Sequence, residues 1–123
     1  MKIKESAENY LEAILMINKQ KGYVRSIDIA HELNVSKPSV SVAMKALKDD
    51  EYIAIDDKGN ISLTKKGLSV AKSVYERHEV IASLLISLGV SEEVAYEDSC
   101  KIEHVISQET FSKLKQYIKK QEK

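Results

Sequence analysis

Cys100, Glu103 and His104 stand in the spacing Cys-x-x-Glu-His. On a helix, positions i, i+3 and i+4 share one face, so a thiolate, a carboxylate and an imidazole would project together. These are three good donors for a first-row transition metal. His78, in a separate stretch, is a further donor, and Glu12 and Asn9 near the N-terminus are placed to close a cage. Each also has an ordinary reading. A lone cysteine commonly behaves as a small buried hydrophobe, and a Glu-His pair on an exposed helix is commonly just solvated. An enzyme using Glu103 as a base is the least favoured reading. No Gly-rich pocket loop is present, and a cage of five or six protein ligands leaves little room for a small organic substrate.

The donors need elements to carry them. Residues Ser6 to Lys19 form an amphipathic helix, with Ala7, Tyr10, Leu11, Ile14, Leu15 and Ile17 on its apolar face. Glu8, Asn9 and Glu12 share a different face, and Gly22 is the C-terminal stop. A long helix runs from Lys65 to Leu88 and carries His78. Leu68, Ala71, Val74, Tyr75, Ala82, Leu85 and Leu88 repeat along it at three- and four-residue steps. Ile81, Leu84 and Ile86 add more apolar surface than one small domain needs, which predicts a homodimer face. Gly89 breaks that helix. Ser91 begins another, expected to reach about Ile106 and to carry Cys100, Glu103 and His104. Ser107 caps a final helix from Gln108 to Lys119, followed by a YIKKQEK tail expected to fray.

Between these lies SIDIAHELNVSKPSVSVAMKAL, from Ser26 to Leu47. It reads as helix, tight turn, helix. Ile27, Ile29, Ala30 and Leu33 are expected to share a buried face, with Val35 plugging the core at the Asn34-Val35 turn. Ser36 is a good N-cap, and Pro38 fits the first turn, where its missing N–H would have had no partner. Val40, Met44 and Leu47 face inward. Lys37, Ser39, Ser41, Lys45 and Lys48 lie outward, with no acid until Asp49. Small hydroxyls let a backbone approach base edges in a major groove, and lysines meet phosphates. Ser36, Lys37, Pro38, Ser39 and Ser41 are therefore the expected DNA contacts, with Lys45 and Lys48 as phosphate partners. Tyr52–Ile55 and Ile61–Thr64 then read as short strands joined by an Asp-Lys-Gly-Asn turn. A helix pair followed directly by a hairpin predicts a winged helix, with Lys58 near the wing tip.

Composition bounds these readings. With 123 residues, the chain suits one domain with a helical extension. The counts of 4 Gly and 1 Pro favour helix. No run approaches the ~18 apolar residues of a membrane span, and MKIKESAENY lacks the apolar segment of a signal peptide. One cysteine excludes an internal disulfide, so a cytoplasmic location is expected. The net charge is +0. This counts against a nonspecific nucleic-acid binder but suits a specific one whose acids sit elsewhere or hold a cation.

The sequence resembles the diphtheria-toxin-repressor family of metal-dependent transcription regulators, which includes the manganese transport regulators. The resemblance spans about Ser6 to Ser107. Its marks are AENYLEAIL, IDIAHELNVSKPSVSVAMKAL, LTKKG, the RHE around His78, and DSCKIEHVIS around Cys100. It implies metal ligands at Asn9, Glu12, His78, Cys100, Glu103 and His104. Glu12, His78, Glu103 and His104 match the manganese branch of that family. Cys100 matches the iron branch, since the manganese branch has a carboxylate there. Asn9 matches neither, standing where the branches have an aspartate or a methionine. Ala82 and Tyr96 replace the glutamate and histidine of the iron branch's ancillary site. The chain is also expected to lack the SH3-like third domain of many iron-branch members.

The expected fold is therefore mainly α: a winged helix-turn-helix domain at 1–66 and an all-helical dimerisation and metal-binding domain at 67–123. The expected activity is metal-responsive repression by a homodimer on a palindromic operator in double-stranded DNA, the resemblance implying metal-uptake genes as targets. Thiolate plus imidazole points first to Fe2+, then Mn2+, with Zn2+ as an in-vitro occupant. The alternative is a metal-independent winged-helix DNA-binding or protein-interaction module in which Cys100, Glu103 and His104 are structural.

Overall fold

The computed structural model describes residues 5–121. Residues 1–4 and 122–123, at the outer ends of the two expected domains, lie outside the described residues, and so do the last two residues of the YIKKQEK tail. The element order is α1 (Glu5–Lys21), α2 (Ser26–Leu33), α3 (Lys37–Asp49), β1 (Ile53–Ile55), β2 (Ile61–Leu63), α4 (Lys65–Ser87), α5 (Glu92–Ile102) and α6 (Gln108–Gln121). The mainly α architecture matches the expectation, with a winged helix followed by helices. Two compact units divide the chain, Met1–Ser73 and Val74–Lys123. α4 begins in the first and continues in the second.

In the first unit, the helical period of α1 buries Leu11, Ile14, Leu15 and Ile17. Gly22 ends the helix at φ +81, a left-handed conformation without Cβ cost in glycine. Ile29 and Ala30 of α2 and Val40, Met44 and Leu47 of α3 complete the helical core, with Val24, Ile53 and Ile61 beside them. Truncating a buried aliphatic such as Ile14 to alanine costs about 2–5 kcal/mol. Strands β1 and β2 pair antiparallel, with Ile53 opposite Leu63 and Ile55 opposite Ile61. Val24 runs beside β2: the Ile61 amide donates to its carbonyl at 2.8 Å, and its own amide donates to Asn60 Oδ1 at 3.0 Å. The wing turn closes on Asp56, whose carboxylate accepts from the Lys58 and Asn60 amides, both at 2.9 Å.

Two details of the helix pair differ from the sequence reading. Ile27 is 46% exposed, so Ile29 and Ala30 carry the buried face of α2. Val35 is 36% exposed and does not plug the core. The turn is closed by backbone instead. Asn34 adopts the left-handed conformation at φ 53, and the Val35 amide donates to the Ala30 carbonyl at 3.1 Å. Asparagine is one of the few residues that tolerates this geometry.

The passage from hairpin to α4 is tight. Thr64 Oγ1 accepts from the Gly67 amide at 3.1 Å and donates to the Glu51 carbonyl at 2.7 Å. A Cβ at Gly67 would lie 1.9 Å from the Tyr52 carbonyl oxygen. Only glycine lets the helix pass the backbone this closely.

In the second unit, Val74, Ile81 and Ala82 of α4, Ala95 and Ser99 of α5 and Phe111 of α6 are buried. Ile81, expected on a dimer face, is covered within the chain, whereas Ile86 and Leu88 are exposed. Gly89 turns the chain at φ +101. The Ser91 hydroxyl caps α5, accepting from the Val94 amide at 3.4 Å. The Ser107 hydroxyl caps α6, accepting from the Thr110 amide at 3.0 Å. α5 stops at Ile102, not near Ile106, and α6 runs on to Gln121. Among the described residues, no helix is long and apolar enough to cross a membrane.

Candidate metal centre and DNA-binding face

α5 and the turn after it set the three donors in different frames. Cys100 lies on the last turn of α5, Glu103 is its C-cap, and His104 follows in the turn. Glu103 is fully buried, and two imidazoles flank its carboxylate. His104 Nε2 lies 3.2 Å from Oε1, and His78 Nδ1 lies 3.8 Å from Oε2. A buried carboxylate is costly without charged or hydrogen-bonding company, and this company is of a kind that also ligates metals.

His78 is oriented by its other nitrogen. Nε2 lies 3.2 Å from the Tyr96 carbonyl. A carbonyl only accepts, so Nε2 carries the proton and Nδ1 is left on the Glu103 side. A metal-ligating histidine characteristically donates its remote N–H in this way. On the Nδ1 side, a proton or a metal ion reconciles the imidazole with the carboxylate. The Tyr96 ring meets His78 edge-on at 5.5 Å. Its hydroxyl donates to Glu79 Oε2 at 3.2 Å. The negative charge of Glu79, then burial and that hydrogen bond, push the Tyr96 pKa above its ordinary value, so Tyr96 stays a neutral donor. Ala82, fully buried, brings no donor atom.

The second unit thus brings together His78, Glu103 and His104: two nitrogens and a carboxylate, a donor set that fits a divalent first-row metal. Cys100 is half-buried and not in a disulfide. Asn9 and Glu12 sit on α1 in the first unit, where Glu12 is buried, which is uncommon for a carboxylate.

The residues expected to meet DNA lie at the N-terminus and along the outer face of α3. Ser36 caps it, accepting from the Ser39 amide at 3.2 Å, and its hydroxyl donates to Ser39 Oγ at 2.8 Å. Pro38 occupies the first turn, and no acid is present there. Val40, Met44 and Leu47 anchor the helix from below. Ser36, Lys37, Pro38, Ser39, Ser41, Lys45 and Lys48 are all exposed. The positive end of the helix dipole, together with exposed lysines, favours anions such as phosphate. Val42 stands among these residues at 73% exposure. Sequence reading passed over it, although its place outside the Val40–Met44–Leu47 stripe was a usable signal.

Models of the iron-dependent repressor match nearly the whole chain. The N-terminal DNA-binding domain covers residues 2–61, and the metal-binding and dimerisation domain covers residues 64–123. The HTH-type transcriptional regulator MntR of Bacillus pumilus (strain SAFR-032) is 39% identical over 102 residues, 83% of this chain and 71% of that protein. MntR of Bacillus subtilis (strain 168) is also 39% identical, over 83% of this chain and 72% of that one. Among solved structures, the manganese regulator SloR superimposes with a TM-score of 0.81 at 27% identity, covering 97% of this chain and 55% of that one. ScaR with bound Zn2+ gives a TM-score of 0.76 at 29% identity, covering 92% of this chain and 53% of that one. The chain therefore spans about half the length of these two.

Proposed function

This chain belongs to the iron-dependent repressor family of metal-dependent, DNA-binding transcriptional regulators, which are not enzymes, and on that premise we propose that it is a cytoplasmic, homodimeric repressor of metal-uptake genes. The buried Glu103 carboxylate between His78 and His104 is the observation that carries the metal half of this reading. Asn9, Glu12 and Cys100 complete the ligand set. When bound, a divalent cation would supply positive charge that offsets the buried Glu103 carboxylate.

The dimerising region, 67–123, would pair two chains so that their two α3 helices enter successive major grooves, about 34 Å apart. Pro38, Ser39, Ser41 and Val42 face the base edges of a palindromic operator, and the Val42 methyls suit a thymine methyl. Ser36, Lys37, Lys45 and Lys48 meet phosphates. Net neutrality of the chain leaves these local lysines as the source of attraction. The Cys100 thiolate favours Fe2+, with Mn2+ next and Zn2+ as an in-vitro occupant.

Equilibrium dialysis of the purified dimer against Fe2+ (anaerobic) or Mn2+ tests the ligand set. Glu103→Ala and His104→Ala should each lose bound metal. Retention of wild-type metal content by both would overturn the assignment and favour a metal-independent module.

A further inference from the structure

We infer that Arg77 is a positioning residue for the metal response, fastening the turn that carries Glu103 and His104 to the helix that carries His78. The inference rests on the reading of those residues as ligands. α5 ends at Ile102, and the chain then makes an irregular turn to Ser107. A helix end leaves carbonyls without intrahelical donors. Arg77 supplies donors here. Its Nη1 donates to the Glu103 carbonyl at 3.0 Å and to the Ile106 carbonyl at 3.5 Å. Its Nη2 donates to Gln108 Oε1 at 2.9 Å. Its Cζ lies 5.3 Å from the centre of the buried Phe111 ring.

One guanidinium therefore holds both ends of the Glu103–Ile106 segment and the first residue of α6. Arg77 also directly precedes His78, so one turn of α4 carries a donor and the clamp on two others. Holding a carbonyl at the residue that bears a ligand restricts where its carboxylate swings. Lysine cannot reproduce this, because a single ammonium on a flexible stem lacks the planar fork that reaches several acceptors at once. Loss of a group that orients a metal ligand typically weakens metal binding about 10–100-fold.

The test is a Co2+ titration of the metal-free dimer of this chain, read by ligand-field absorption, with affinity from competition against a chelating dye. Arg77→Lys, shown folded by far-UV circular dichroism, should bind Co2+ about 10–100-fold more weakly with a shifted band. A merely structural role would lower the melting temperature and leave spectrum and affinity as in wild type, and that result would overturn the inference. Gln108→Ala serves if Arg77→Lys does not fold. It removes one anchor of the fork, and a measurable loss of Co2+ affinity supports the inference whereas wild-type binding overturns it. Glu103→Ala separates the two readings. If it loses Co2+ while Arg77→Lys does not, only the role of Arg77 fails; if it keeps Co2+, the ligand assignment fails and the inference with it.

Discussion

Lys37→Ala removes one exposed positive charge from the first turn of α3. The lysine sits at the positive end of the helix dipole, so its loss should not destabilise α3. A dimer with both heads on DNA presents the residue twice. Each phosphate contact contributes about 0.9 to the slope of log K against log salt, so two lost contacts make the slope shallower by about 1.8. Between 50 and 200 mM salt, a fourfold change, the wild type should then lose about 12-fold more affinity than the variant (4 raised to about 1.8). Binding should weaken for specific and nonspecific DNA alike, because phosphate carries no sequence information. Fluorescence anisotropy of a labelled operator at several salt concentrations, with saturating metal, reads this directly. An unchanged slope would remove Lys37 from the interface. A change near 0.9 would mean that one head of the dimer binds phosphate through this residue and the other does not.

Cys100→Asp should raise the response to Mn2+ relative to Fe2+, read as the metal concentration giving half-maximal operator binding; an unchanged ranking would sink the argument from the thiolate. Gly67→Ala gains about 1 kcal/mol of helix propensity but meets the Tyr52 carbonyl at 1.9 Å. Overpacking of about 3 kcal/mol outweighs the gain, leaving a net loss of about 2 kcal/mol in urea unfolding; wild-type stability would show that the backbone yields cheaply there. Asp28 is held below the ordinary carboxylate pKa by its hydrogen bond from Lys21 at 2.8 Å, helped by the Arg25 amide. A lowered folded value contributes stability that is present above the unfolded pKa and lost as pH falls through the folded one. The difference in melting temperature between wild type and Asp28→Asn should be steady near neutrality and shrink below about pH 4; a difference that grew on acidification would contradict the assignment.

Periodicity made the helices and the wing legible, because apolar spacing, Ser36, Ser91 and Ser107 each act within a few residues along the chain. The end of α5 was not legible. Ile102, Val105 and Ile106 continue an apolar helical spacing, yet Val105 is 77% exposed. A side chain some thirty residues away, Arg77, draws the Glu103 and Ile106 carbonyls into a turn instead. Val35 misled for a related reason, since the Asn34 conformation and backbone hydrogen bonds close that turn without a buried plug. The donors were legible as residue types at a helical spacing. The His78–Tyr96 hydrogen bond that aims Nδ1 at Glu103 depends on tertiary packing of α4 against α5, which no local pattern encodes.

The most direct measurement is operator affinity of the purified dimer on a palindrome selected from random DNA, first with chelator and then with anaerobic Fe2+ or Mn2+. A large gain in affinity with metal is expected, abolished in Glu103→Ala and His104→Ala, with a stronger response to Fe2+ than to Mn2+. Equal affinity with and without metal would contradict it, leaving the α3 face as a DNA reader and the His78–Glu103–His104 cluster as a structural feature.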